Sequence, residues 1–148
     1  MELNTVSAVI SLAKKLEEDS AKFYEDLARR YVKGRETFLS FAKGNRRNIV
    51  DIERAYYGVI SDALEGCFSF NISPDSYKFT TELAEDISFS DALGKAIEME
   101  DKIIKFYLDA AEQSSSLMAD VPRAFKRVAR KRNNRKPKLE SLITSEEA

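Results

Sequence analysis

The sequence has no histidine and no tryptophan, and only one cysteine, among its 148 residues. Histidine is the commonest transition-metal ligand and the commonest general base near neutral pH, so its absence excludes every histidine-dependent mechanism. Cys67 cannot form a disulfide within the chain, and the protein therefore needs no oxidising compartment. Secretion is disfavoured, and we expect a cytoplasmic location.

Long apolar runs are also missing. No stretch approaches the roughly 18 apolar residues of a membrane-spanning helix, and residues 1–18 lack the basic start, apolar core and cleavage site of a signal peptide. We therefore expect a soluble protein with no membrane partner. The length, with 43% hydrophobic residues, suits one compact domain over residues 1–148 and is too short for two full domains.

The formal net charge of -1 conceals a strong segregation of charge. The segment from Arg123 to Lys138 contains nine basic residues and no acidic one, which leaves 15 basic and 25 acidic residues elsewhere. Clustered Lys and Arg can bind nucleic-acid phosphates in a salt-dependent way. This segment therefore offers nucleic acid, or another anion, as an alternative partner. Aromatic residues for base stacking are scarce in it, because Phe125 belongs to the apolar stripe of its helix.

Five glycines and three prolines are few, and apolar residues recur at spacings of three and four, which predicts helices and no strand-rich sheet. Residues 76–86 are expected to form a short helix within the longest connection. Pro137 falls inside the last helix and predicts a kink or an early end there. Short loops around a long crossover predict two antiparallel hairpins in one bundle. The four predicted helices run from about Asn4 to Tyr31, from Glu36 to Leu64, from Ser88 or Ser90 to Gln113, and from Asp120 to Ile143.

Each predicted buried stripe is interrupted by polar residues at a similar depth. An unpaired carboxylate or guanidinium in a dry interior costs several kcal/mol, whereas paired and hydrogen-bonded ions roughly break even. Two Glu and two Arg cancel in charge, and two Asn amides can complete the hydrogen bonds. We therefore predict a buried polar cluster that needs no metal, with its internal pairing left open. Its residues are Glu17, Asn45, Asn48, Glu100, Arg132 and Arg135, with the hydroxyls of Tyr24 and Tyr107 beside them.

The chain also repeats itself. A shift of 83 residues places Glu17 on Glu100 and Tyr24 on Tyr107, in each case with an aromatic pair that ends in the Tyr. A shift of 87 residues aligns the segment 38–42 with 125–129, and both segments resemble the pattern F-x-x-L-A, with Phe41 and Val128 in the place of the Leu. Over about Val6 to Ile143 these patterns resemble the rubrerythrin branch of the ferritin-like superfamily. The resemblance implies a ferritin-like four-helix bundle made from a duplicated hairpin.

At the metal-ligand positions the chain departs from the family pattern, and these departures remove most of the chemistry that the resemblance implies. The family places Glu-x-x-His after the F-x-x-L-A stretch, where this chain has Asn45 and Asn48 in one half and Arg132 and Arg135 in the other. A di-iron carboxylate site needs those groups together with one Glu from each of the other two helices. Arg132 would put a fixed positive charge where a metal dication should sit. The Cys pairs of a rubredoxin-type iron site are missing too. We therefore expect no metal and no cofactor.

Three functional hypotheses follow. The sequence supports no enzymatic reaction, so the first is a non-catalytic structural or interaction protein whose ionic cluster fixes helix register. The second is a residual rubrerythrin-like oxidoreductase that binds iron through Glu17 and Glu100 with help from Asp51 or Glu53. The third is binding of an anion or nucleic acid through the basic fourth helix. A small anion between Arg132 and Arg135 is a further alternative.

A homodimer is also expected, because aromatic residues concentrate around the crossover. Their surface exceeds what one small bundle is expected to cover, which is typical of a partner surface. These residues are Tyr56, Tyr57, Phe68, Phe70, Tyr77, Phe79 and Phe89.

Overall fold

The protein is helical, as expected. A computed structural model describes residues 2–59, 70–114 and 120–147. In these ranges the only strand-like pairing is an isolated antiparallel bridge between Leu3 and Ile72. No helix in the described part is long and apolar enough to cross a membrane. The elements are α1 (Val6–Arg30), α2 (Arg35–Val59), a 3-10 helix (Pro74–Tyr77), α3 (Phe89–Ser114), α4 (Asp120–Asn133) and α5 (Arg135–Glu147).

The first hairpin is defined by a cap and a glycine. The Oγ1 atom of Thr5 accepts a hydrogen bond from the backbone N–H of Ala8 at 3.1 Å, which satisfies one of the free donors at the start of α1. After α1 the chain reverses through Gly34, whose φ of +80° lies in the left-handed region. Because only residues 31–34 separate the two helices and the helices pack along each other, α1 and α2 are antiparallel.

The second hairpin begins with a similar cap. The Oγ atom of Ser88 accepts from the backbone N–H of Asp91 at 3.0 Å, and α3 starts at the next residue, Phe89. The predicted end of the second helix at Leu64 lies outside the described residues. Hairpin contacts join α1 to α2 and α3 to α4, and contacts of α2 with α4 and of α3 with α5 close the bundle.

The predicted short helix over residues 76–86 is wrong. Only the 3-10 helix Pro74–Tyr77 forms, and residues 78–84 follow without helical structure. Tyr77 and Leu83 are both buried against the core. Six residues apart on an α-helix they would point about 120° away from each other, so a non-helical chain lets both reach the core.

The predicted interruption of the last helix is confirmed at Asn134, between α4 and α5. Pro137 has no N–H to donate to the carbonyl of Asn133, and its ring would collide with that carbonyl. Helical hydrogen bonding nevertheless continues as far as the break, because the N–H of Asn134 still donates to the carbonyl of Arg130 at 3.1 Å. Arg132 and Arg135, on either side of the break, therefore both reach the interior.

The expectation of a large uncovered aromatic surface at the crossover is wrong for the described residues. Phe70, Tyr77 and Phe89 are buried in the bundle core, because the crossover folds back onto α3. Tyr57 is the exposed member, at 71%. Two further members are covered wholly or in part, Tyr56 and Phe79, and Phe68 lies outside the described residues.

Candidate functional site

The structure places all the predicted site residues in one buried cluster at the centre of the bundle. The side chains of Glu17, Glu100 and Arg132 are fully buried. Every described α-helix contributes: α1 gives Glu17 and Tyr24, α2 gives Asn45 and Asn48, α3 gives Glu100 and Tyr107, α4 gives Arg132, and α5 gives Arg135.

Arg132 is the centre of this cluster. Its Nε and Nη2 atoms donate to the two carboxylate oxygens of Glu17 at 3.1 and 2.9 Å, which is a bidentate pair. Its Nη1 atom donates to Glu100 Oε1 at 2.7 Å, and Nη2 also donates to Asn45 Oδ1 at 3.1 Å. One guanidinium therefore bridges both carboxylates and links α4 to the three other long helices.

The carboxylate of Glu17 accepts from four donors. Besides the two bonds from Arg132, Asn48 Nδ2 donates to Oε1 at 3.2 Å and the hydroxyl of Tyr107 donates to Oε2 at 2.6 Å. Both polar atoms of the neighbouring amide, Asn45, are also bonded, because Oδ1 accepts from Arg132 and Nδ2 donates to Ser20 Oγ at 3.0 Å. The oxygens of Glu17 thus have no direction left in which to bind another group without losing one of these bonds.

Glu100 is paired with the second arginine. Arg135 Nη1 donates to Glu100 Oε2 at 3.2 Å, and Arg135 Nη2 donates to the carbonyl of Phe41 at 3.0 Å. The guanidinium carbon lies 4.7 Å from the ring centre of Phe41, a cation–π contact. The hydroxyl of Tyr24 donates to the same Oε2 atom of Glu100. Arg135 fits here because Gly44 has no side chain: a Cβ atom would lie 3.0 Å from its Nη2.

The two tyrosines reproduce the sequence repeat in space. Tyr24 of the first hairpin bonds to Glu100 of the second, and Tyr107 of the second bonds to Glu17 of the first. The 83-residue shift that relates the two Glu and the two Tyr thus corresponds to a reciprocal exchange of hydrogen bonds between α1 and α3. Each hairpin completes the carboxylate site of the other.

The cluster satisfies its own charges and hydrogen bonds. Two carboxylates and two guanidiniums sum to zero, and no buried side-chain nitrogen or oxygen in the described residues lacks a hydrogen-bond partner. Burial, reinforced by the neighbouring carboxylates, raises the pKa of Tyr24 and of Tyr107 well above the ordinary tyrosine value. Burial alone would lower the pKa of Arg132, but Glu100 and Glu17 together raise it.

The suggested auxiliary metal ligands are not at this site, so that prediction is wrong. Asp51 pairs with Lys131 at 3.3 Å and Glu53 pairs with Lys14 at 3.5 Å, both on partly exposed side chains. Among the described residues no group of three or more His, Cys, Asp or Glu side chains is arranged to hold a metal ion. A metal between Glu17 and Glu100 would have to displace Arg132 from both carboxylates.

Sequence reasoning missed a pocket beside the cluster. A cavity of about 220 Å³ lies between α2 and the junction of α4 with α5. The basic segment was interpreted by itself, and the contribution of Arg47 from α2 was not foreseen because it depends on how the hairpins meet. The pocket is lined by Ser40, Phe41, Gly44, Arg47, Asn48, Lys131, Asn134, Arg135 and Lys138.

Comparison of the chain with protein-family models, with curated protein sequences and with solved structures gives no match. The resemblance described above therefore rests on the residues of the chain themselves.

Proposed function

We propose that this chain is a ferritin-like, rubrerythrin-related bundle that has lost its di-metal site and serves as a non-catalytic structural or interaction protein. The observation that carries the proposal is the position of Arg132. Its guanidinium bonds to both Glu17 and Glu100, the two carboxylates that match the family pattern. The guanidinium supplies the positive charge that a metal ion would otherwise bring to these carboxylates.

The chemistry of the cluster supports a structural role. Redox metal sites of this class need carboxylates that can bridge or shift and an open position for a substrate. Here the carboxylates of Glu17 and Glu100 each accept bonds from donors on three other helices. Guanidinium has no accessible redox state and cannot be deprotonated at ordinary pH. The cluster is suited to fixing how the two hairpins meet.

The experiment is an anaerobic ferrous titration of protein purified without chelators, with metal content measured beforehand. We expect no stoichiometric metal and no visible absorption band after oxygen is admitted. The comparison variants are Glu17→Gln with Glu100→Gln, and a matched control, Asp51→Asn with Glu53→Gln, which removes two carboxylates outside the cluster. Stoichiometric iron that the first pair loses and the control keeps would replace the proposal with a residual metal-binding oxidoreductase.

The partner surface in this proposal is the outer face of α2, with a second copy of the chain as its occupant. Leu39, Val50 and Tyr57 are 49%, 49% and 71% exposed. Their spacings of 11 and 7 residues place them on one side of the helix, where the exposed Lys43 and Arg46 lie between them, so salt should strengthen the contact rather than weaken it. We expect sedimentation velocity to report a dimer that persists in high salt, and Leu39→Ser with Val50→Ser to give a monomer. A monomeric parent would remove the dimer from the proposal and leave the ionic cluster unaffected.

A further inference from the structure

The pocket beside the cluster is lined by positively charged side chains and by neutral ones. Its floor is formed by the buried residues Phe41, Asn48 and Arg135, and its rim mostly by exposed ones. In the described part of the chain, every charged side chain that lines it is basic. Arg47 comes from α2, Lys131 from α4, and Arg135 and Lys138 from α5. Three helices therefore direct positive charge into one small volume.

Two of these four charges are already balanced. Arg135 belongs to the neutral cluster with Glu100, and Lys131 pairs with Asp51 at 3.3 Å. Arg47 and Lys138 form no salt bridge within residues 2–59, 70–114 and 120–147. The lining and its partners thus carry an excess of two positive charges. A phosphomonoester at neutral pH carries between one and a half and two negative charges, so its charge matches this excess.

The pocket also has neutral groups that suit an oxyanion. The hydroxyl of Ser40 and the amides of Asn48 and Asn134 line it, and each can donate a hydrogen bond. Arg135 is held at the floor by Glu100 and the carbonyl of Phe41, and its Nη2 atom approaches Gly44 closely because that residue has no side chain. A preorganised guanidinium loses less entropy when it binds an anion.

We infer that this pocket is a binding site for a small phosphate-bearing anion, either inorganic phosphate or a small phosphomonoester. Its volume of about 220 Å³ holds a phosphate group with room for several further atoms. Arg47 and Lys138 supply the unbalanced charge, and Arg135 and the neutral donors fix the orientation of the anion. The inference does not rest on the proposed function, because Arg47 and Lys138 lie outside the buried cluster.

The test is isothermal titration calorimetry at low chloride with inorganic phosphate and, separately, with glycerol 3-phosphate. We expect saturable binding to one site. Arg47→Gln with Lys138→Gln should weaken it by roughly tenfold or more, since the loss of even one charge-assisted hydrogen bond costs about that factor. Tighter binding of glycerol 3-phosphate would assign the site to a phosphomonoester, and equal or weaker binding would assign it to free phosphate.

The control is Lys126→Gln with Arg130→Gln. These residues are exposed on α4, line a different surface groove, and give the same change in net charge. Binding in the control should stay within about twofold of the parent. Equal losses in both pairs, or no saturable binding by the parent, would overturn the inference.

A phosphate titration followed by amide chemical shifts distinguishes binding in the pocket from binding along the basic segment Arg123 to Lys138. Phosphate should shift the backbone N–H of Gly44 and the side-chain amide of Asn134 first. A fluorescent single-stranded oligonucleotide supplies the second arm. If it binds and both variant pairs weaken it equally, while phosphate shifts neither reporter, the basic segment is a nucleic-acid surface and the pocket proposal is wrong.

Discussion

The first hairpin brings one carboxylate and two amides into the buried cluster, whereas the second brings one carboxylate and two guanidiniums. The frame around them is the same, with a Glu and a Tyr at matching places in α1 and α3. The charges differ: the first half sums to -1 and the second to +1. Neither half is neutral when buried alone. This difference makes the two hairpins mutually dependent, because each offsets the net charge of the other and donates its tyrosine hydroxyl to the carboxylate of the other.

The largest loss of stability is expected when the guanidinium that joins the two hairpins is removed. Arg132→Met deletes the bridging guanidinium and leaves Glu17 with no cationic partner in a dry interior. We expect a loss of about 3–5 kcal/mol in the free energy of unfolding. Urea denaturation followed by far-UV circular dichroism measures it. Arg130→Met, two residues away on the exposed side of α4, is the control and should change stability by less than about 0.5 kcal/mol. Equal stability of the two variants would contradict the comparison.

The two carboxylates should not be equivalent. Glu17→Gln and Glu100→Gln each remove one buried charge and should cost about 2–3 kcal/mol. The cost should be larger for Glu17, because its partner Arg132 is fully buried, whereas Arg135 beside Glu100 is 8% exposed and borders the pocket. Solvent or an anion can therefore relieve the excess charge left by Glu100→Gln. The reverse order of the two losses would show that the pocket does not screen Arg135.

Tyr24 and Tyr107 should make the free energy of unfolding depend on pH in the alkaline range. Their folded-state pKa values are raised by burial and by the carboxylates, so above the unfolded pKa of about 10 only the unfolded chain loses these protons. The free energy of unfolding therefore falls as pH rises above about 10, by about 1.4 kcal/mol per pH unit for each tyrosine. Tyr24→Phe with Tyr107→Phe should remove that part of the slope. Tyr57→Phe, at an exposed position, should leave the slope unchanged. Identical slopes in the parent, the double variant and Tyr57→Phe would contradict the raised pKa values of Tyr24 and Tyr107.

The smallest expected effect on stability comes from replacing one glycine in each hairpin by alanine. Gly94→Ala on α3 meets no neighbour within 4 Å and should stabilise the protein by about 0.5–1 kcal/mol through helix propensity. Gly44→Ala on α2 places its Cβ 3.0 Å from Arg135 Nη2, which donates to the carbonyl of Phe41 while Nη1 of the same guanidinium donates to Glu100. We expect the steric conflict to cancel most or all of that gain. Thermal unfolding of the two variants compares them, and an equal gain would show that Arg135 moves freely.

The helices and the cluster could be predicted from the sequence because both follow from spacing. Thr5 and Ser88 act as caps, and Pro137 interrupts the last helix, for local reasons. The depth of the polar residues followed from their places in stripes of buried side chains. Which donor meets which acceptor could not be predicted, because the bidentate bond of Arg132 to Glu17 depends on the rotation and height of α4 against α1.

Two features depend on tertiary packing in the same way. Residues 76–86 of the crossover are predicted as a short helix, but Tyr77 and Leu83 both reach the core only without one. The basic pocket combines residues of α2, α4 and α5, and no spacing within a single helix indicates it. The spare charges at its rim, Arg47 and Lys138, are 91 positions apart in the chain, so only the closure of the bundle brings them together.

The most direct test of the account is the stability of Arg132→Met combined with Glu17→Gln. The combined variant keeps the neutral pair of Glu100 with Arg135, whereas Arg132→Met alone leaves an unpaired buried carboxylate. If the two halves are held together by complementary charge, the second substitution should restore about 1–3 kcal/mol to the free energy of unfolding measured in urea. If the two losses simply add, the cluster does not act as an interlocking ionic unit and the central claim is wrong.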